Sequence, residues 1–201
     1  MEDVSKQTPL HFAASEGFVD IVRLLLINGA NSAITTPKGN TALHIAASRG
    51  DCSVVKLLLQ IFNEKKIYFN DFINAKTFVG ESTALHEAAK RGSKEIVIVL
   101  LTYGARYDVI DKTFQQTHLQ NPHHQGIISL LKAIQRLFES ARRGDTEFEA
   151  IISAMDSEEK LAALNSRNNQ LLTAPEVARL HQNVYVKRMS SSLARILKVF
   201  I

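Results

Sequence analysis

Apolar positions in this chain come in short runs of two alternating kinds, set apart by polar stretches and single glycines. The first kind is alanine-rich with helical spacing: Leu10 with Ala13 and Ala14, Leu43 with Ala46 and Ala47, Leu85 with Ala88 and Ala89. The second is almost entirely apolar: Ile21 to Leu26, Val54 to Leu59 and Ile96 to Leu101. Each alanine-rich run opens on a threonine (Thr8, Thr41, Thr83) whose hydroxyl can accept an N–H of the first helical turn, and Pro9 sits where a missing N–H costs nothing. Each closes on a glycine (Gly17, Gly50, Gly92), which tolerates the positive φ that commonly follows a helix. The pattern therefore predicts two helices per unit, the second too apolar to stand alone. Such faces can be buried only against neighbouring units, which gives an elongated row with nearest-neighbour stability.

The ten residues from Thr41 to Gly50 recur at 8–17 and 83–92, with starts 33 and then 42 residues apart, one period with about nine residues inserted. In these motifs, Thr8-Pro9-Leu10-His11, Thr41-Ala42-Leu43-His44 and Thr83-Ala84-Leu85-His86, the chain resembles the ankyrin-repeat family. The resemblance implies an all-α solenoid of stacked helix-turn-helix units with projecting β-hairpin loops. It also implies that His11, His44 and His86 form hydrogen bonds tying adjacent hairpins. Asn28-Gly29-Ala30-Asn31 and Tyr103-Gly104-Ala105-Arg106 are suited to close second helices, and Lys38-Gly39-Asn40 has the chemistry of a hairpin turn.

Three well-formed units are expected over 3–35, 36–76 and 77–110, the second carrying an insert at about 63–72 that lengthens the link after its second helix. From 111 to 201 the pattern decays into degenerate repeats and a C-terminal capping helix at about 185–200. Thr117 keeps its distance to Gly126, yet Pro122, His123 and His124 replace the alanines, so a shortened or broken first helix is expected there, followed by an intact partner from Ile127 to Ile134. Leu137 to Asp145 resembles another helix-glycine junction, Asp156-Ser157-Glu158-Glu159 reads as a capping box, and Thr173 to Asn183 as a diverged copy with Pro175 and Glu176 in place of Leu-His.

Composition adds little to that organisation. The 201 residues carry 24 Lys and Arg against 20 Asp and Glu, a net charge of +4 that does not by itself call for nucleic acid. No apolar run is long enough for a membrane span, and the polar start Met1-Glu2-Asp3 does not read as a secretory signal, so a cytoplasmic location is expected, host-cell cytoplasm for a delivered effector. The single cysteine, Cys52, excludes an intramolecular disulfide and suits a reducing compartment.

Chemistry-bearing motifs are scarce. His86-Glu87-Ala88-Ala89-Lys90 approaches a zinc-protease helix, but Lys90 stands where the second histidine ligand is needed. His118, His123 and His124 cluster without a cysteine or spaced carboxylate to complete a metal set, so a solvated turn is expected. Cys52 follows Gly50-Asp51 near a helix start with no histidine signature to activate it, and reads as an inert thiol. No catalytic, cofactor-binding or metal-binding residue is assigned.

In ankyrin-like stacks, hairpin tips and the two residues before each glycine line a concave face. That resemblance places Arg49, Lys90 and Arg91 on a basic strip, with Arg142 and Arg143 continuing it and Glu87 on the same helix as Lys90. The hairpin positions Pro37, Lys38, Asn40, Phe78, Val79, Glu81, Lys112 and Phe114 flank it, Phe78 and Phe114 as candidate apolar anchors. The C-terminal segment is basic (Arg179, Lys187, Arg188, Arg195, Lys198) with Tyr185, Met189, Leu193, Ile196 and Phe200 on one helical face. Such a helix can lie on an anionic membrane, but packing as the last solenoid helix is the favoured reading. The expected function is a non-catalytic adaptor or scaffold, a monomer that holds a protein partner with an acidic or phosphorylated segment. Its decayed repeats and long insert are similar to ankyrin effectors that intracellular bacteria deliver into host cells. The alternative is the targeting part of an enzyme whose chemistry lies at 111–201 or on further chain.

Overall fold

In the computed structural model, residues 7–65, 69–109, 122–145 and 147–180 are described. Lys112, Phe114, Thr117, His118, the His123 side chain and the 185–200 helix lie outside them. The first unit contributes α1 (Pro9–Glu16) and α2 (Val19–Ile27), the second α3 (Ala42–Arg49), α4 (Cys52–Lys65) and α5 (Phe69–Ile73), the third α6 (Ala84–Arg91) and α7 (Lys94–Thr102). A 3-10 turn at Tyr107–Val109 follows, then α8 (Pro122–Arg143), α9 (Glu147–Ser153), α10 (Ser157–Asn165) and α11 (Ala174–Leu180). The first helices α1, α3 and α6 pack side by side as an inner row, and α2, α4, α7 and α10 form an outer row behind it.

The repeated threonines, histidines and glycines explain why the inner helices are near copies. Thr8, Thr41 and Thr83 cap α1, α3 and α6, and Gly17, Gly50 and Gly92 end them with φ of 75°, 81° and 82°. The Thr41 N–H donates to His44 Nδ1 at 3.2 Å, so that nitrogen is an acceptor and the proton sits on Nε2. From there it is donated to the Ser82 carbonyl of the next loop at 3.1 Å. His11 repeats the arrangement between the Thr8 N–H (3.1 Å) and the Ile34 carbonyl (3.0 Å). One imidazole thus fixes its own helix start and the loop that follows its unit, which is the tie the resemblance implied.

Burial follows the same logic. Leu43, Leu58, Leu85 and Leu100 are fully enclosed, each contributing about 1.5–3 kcal/mol, and the small Ala46, Ala47, Ala88 and Ala89 let neighbouring helices approach closely. Among the described residues no strand is present: the projecting loops close as turns, Thr36 N–H to Asn40 carbonyl (2.9 Å) and Thr77 N–H to Ser82 carbonyl (2.9 Å). One loop leans on the next through the Phe78 N–H, which donates to the Lys38 carbonyl at 3.0 Å.

Three features depart from the sequence reading. The insert of unit two is helical: α4 runs on to Lys65, and Phe72 on α5 stacks on Phe62 with ring centroids 4.0 Å apart. Pro122 begins α8 instead of breaking a helix, and Gly126 lies within α8 without the positive φ of the repeat-ending glycines. Proline is tolerated in a first turn, where its N–H would be unpaired anyway. His124 is buried in that turn, and its Nε2 donates to the Lys90 carbonyl at 3.1 Å, so it does not lie in a solvated turn. The glycine junction after Leu137 does form, at Gly144 (φ 76°), and Tyr107 stacks on Phe138 at 4.6 Å.

Farther on, the loop Asn168–Leu172 repeats the hydrogen bonds of Thr36–Asn40: Asn168 N–H to Leu172 carbonyl at 3.0 Å and Leu172 N–H to Asn168 Oδ1 at 3.0 Å. Leu171, with φ 59°, stands where the earlier loop has Gly39 with φ 83°. The Thr173 N–H and hydroxyl both donate to Glu176 Oε2, at 2.7 and 2.9 Å. Glu176 therefore holds its helix start as His44 does, but an ionised carboxylate has no proton to give a neighbouring loop.

Candidate partner-binding face

The inner helices end side by side, and the residues before their glycines emerge together. Arg49, Lys90 and Arg91 are exposed there, and Glu87 is half-buried one turn earlier on α6. Arg91 reaches back over the preceding unit: its Nη1 donates to the Ser48 carbonyl at 3.4 Å, and a Cβ on Gly50 would lie 2.5 Å from its Nε. The guanidinium thus covers the carbonyl end of α3, where the helix dipole is negative. Lys90 donates to Ser82 Oγ at the foot of the second loop (3.1 Å) and pairs with Glu87 Oε1 at 3.2 Å. An exposed pair of this kind contributes little to stability.

Arg49 makes no ion pair among the described residues and lines a cleft of about 320 Å³ with Ser15, Glu16, Asp51 and Cys52. Asp51 Oδ1 accepts the Val54 N–H at 3.0 Å, and Oδ2 occupies the space a Cβ on Gly17 would need. Charge along the face is therefore graded, acidic at unit one through Glu16 and Asp51 and basic at units two and three. The repeat showed the basic strip, whereas the role of Asp51 depends on its reach to the preceding unit and has no sequence signal.

At the loop tips Lys38, Val79 and Glu81 are exposed and Asn40 is half-buried. Glu81 adopts φ 47° and pairs with Lys76 at 2.6 Å, which holds its carboxyl below the usual range. Phe78 rests on Gly39, where a Cβ would come within 2.8 Å of the ring, yet it stays 71% exposed. It is propped outward by the neighbouring loop and does not fold into its own stack.

Arg142 and Arg143 end α8, well along the chain from the strip. His124, at the start of α8, touches Lys90, and 18 residues of helix then carry the chain about 27 Å away. Arg143 instead pairs with Asp145 at 3.2 Å and Glu147 at 3.9 Å.

On the opposite face, clefts of about 460 and 410 Å³ lie along α4, α7 and α10. Glu95 there takes Lys56 Nζ at 2.9 Å and the Cys52 thiol at 3.0 Å. Burial, with Glu95 alongside, pushes the Cys52 thiol up to about 11, which leaves little thiolate near neutral pH. Among the described residues no group of three His, Cys, Asp or Glu could hold a metal ion, and no helix is long and apolar enough to cross a membrane.

Comparison with known families agrees with the architecture. The model for ankyrin repeats in three copies matches residues 1–71, and that for a single ankyrin repeat matches 81–112. Among curated proteins, none matches the chain. With its threonine caps, bridging histidines and terminal glycines in repeat register, and matched over both segments, the chain belongs to the ankyrin-repeat family.

Proposed function

We propose that this chain is a cytoplasmic adaptor that binds an acidic or phosphorylated segment of a partner protein across units two and three. Ankyrin repeats are generally protein-protein interaction modules and typically non-catalytic. The observation that carries the finer reading is the juxtaposition of exposed Arg49, Lys90 and Arg91 with a loop row bearing Lys38, Phe78 and Val79. Guanidinium and ammonium groups supply charge-assisted hydrogen bonds to carboxylate or phosphate, and a propped aromatic supplies area at low entropic cost. A preformed stack loses little freedom on binding, which favours capture of a flexible segment. The decayed half and the helical insert fit a role as a delivered bacterial effector, in which the rest of the chain would recruit or position a second component.

The reading is tested by fluorescence anisotropy with labelled acidic and phosphoserine-containing peptides against the full chain. Binding should weaken as salt rises and be lost in Arg49→Glu/Lys90→Glu, while Lys56→Glu on the opposite face changes nothing. Equal binding by Arg49→Glu/Lys90→Glu and the parent would refute it.

A further inference from the structure

On the side opposite the basic strip, two departures from a regular repeat line one groove. The helices α4, α7 and α10 run parallel there: near their starts Lys56 meets Glu95 at 2.9 Å and Lys94 meets Glu159 at 2.7 Å, and beyond their ends the Arg167 N–H donates to the Ala105 carbonyl at 3.2 Å. The clefts of about 460 and 410 Å³ among them share Thr102 and Tyr103, so together they form a single furrow along α7. Each wall turns one helical face to it, Lys56, Gln60 and Asn63 on α4 and Glu158, Leu161 and Asn165 on α10. Asn63 belongs to the stretch by which α4, at 14 residues, outruns the nine-residue α2 and α7. Arg167 and the α10 wall come from the diverged half. The furrow is thus a product of the helical insert and the diverged half together, and a regular repeat has no counterpart to it. It stays open because α7 packs more closely on α10 than on α4. Val99 on α7 is half-buried where the first two units have Leu24 and Leu57, and the shorter side chain leaves the floor beside α4 unfilled.

The floor is apolar, made by Val99, Leu161 and the ring of Tyr103, and the ends are oppositely charged. At one end Glu158 is exposed and makes no ion pair among the described residues, while Glu95 beside it is already taken by Lys56. At the other, Arg167 makes no ion pair among the described residues, and its guanidinium keeps donors beyond the one that bonds the Leu171 carbonyl. We propose that this groove binds a short extended segment of a partner protein, with a basic side chain at Glu158, an apolar one on the floor and an acidic one at Arg167. Glu158 and Asn165 are about 10 Å apart along α10, with Arg167 two residues beyond. An extended chain rises about 3.3 Å per residue and points alternate side chains the same way, so the three contacts fall on positions i, i+2 and i+4 of the segment. Carboxamides of Gln60, Asn63 and Asn165 on the walls can donate to and accept from its backbone. Opposite charges at the two ends disfavour a segment of one sign, so this ligand differs from the one proposed for the basic strip.

Fluorescence anisotropy of the full chain with labelled seven-residue peptides tests the proposal. A peptide with lysine, leucine and glutamate at alternate positions in an alanine background should bind with a Kd on the order of 100 μM, and peptides with lysine at both ends or glutamate at both ends about tenfold more weakly. Glu158→Lys should reverse that ranking in favour of the peptide with glutamate at both ends, and because position 158 is exposed the fold should be retained. Val99→Leu restores the residue of the other units and should weaken binding several-fold without lowering the thermal midpoint. Arg49→Glu/Lys90→Glu should leave binding of the mixed-charge peptide unchanged, which separates this groove from the basic strip. A parent chain that does not bind the mixed-charge peptide, equal binding of all three peptides, or binding unaffected by both Glu158→Lys and Val99→Leu would overturn the proposal.

Discussion

At the scale of single residues, the repeat is held by groups with two obligations. His44 accepts from the Thr41 N–H and donates to the Ser82 carbonyl, and protonation of Nδ1 would break the first bond. Burial lowers the pKa of His11 and His44 below the ordinary 6.5, so the folded state takes up protons later than the unfolded chain as pH falls. Their contribution is complete above pH 6.5 and decreases below it until the lowered folded-state values are passed. Chemical denaturation as a function of pH should show a loss of stability beginning near pH 6.5, reduced in His44→Gln, which cannot titrate. At Gly50, alanine would meet both a φ of 81° and the Arg91 guanidinium, and Gly50→Ala should cost about 1 kcal/mol or more in the same measurement. Cys52 should alkylate slowly at neutral pH, and Glu95→Gln should speed the reaction, because the Glu95 hydrogen bond and charge both raise the thiol pKa.

At the scale of elements, what could be read in the sequence is what repeats. Thr8, Thr41 and Thr83 announce helix starts through their own hydroxyls, and Gly17, Gly50 and Gly92 announce ends through backbone freedom, so inner helices, outer helices and the basic strip of Arg49, Lys90 and Arg91 were all legible. The course of α8 was not. Its glycine is a repeat-ending residue by spacing, but that identity rests on φ, which only the packing of the surrounding helix decides. The position of Arg142 and Arg143 likewise depends on the direction of α8, which the repeat spacing does not set. The helical insert was illegible too, since stacking of Phe72 on Phe62 is a tertiary contact. Gly126→Ala discriminates the two readings of α8. Within a helix, removal of glycine should stabilise by about 0.5–1 kcal/mol, the new Cβ meeting only the flexible end of Lys94 at 3.3 Å. At a repeat-ending junction the same change would destabilise.

For the whole molecule, the stack presents chemically different faces. The inner side offers cations and a propped aromatic, the opposite side ion-paired clefts beside Cys52, and α2 the exposed apolar side chains Ile21 and Leu24. On the proposed function, a phosphorylated or acidic segment meets complementary charge on the inner side of units two and three, and salt should weaken it as expected for exposed ion pairs. Backbone amide chemical-shift mapping with a phosphoserine-containing acidic peptide tests this most directly. Shifts concentrated at 38–40, 48–50, 78–81 and 87–91 are expected. Shifts centred instead on Lys56, Glu95, Val99 and Leu161 would contradict it.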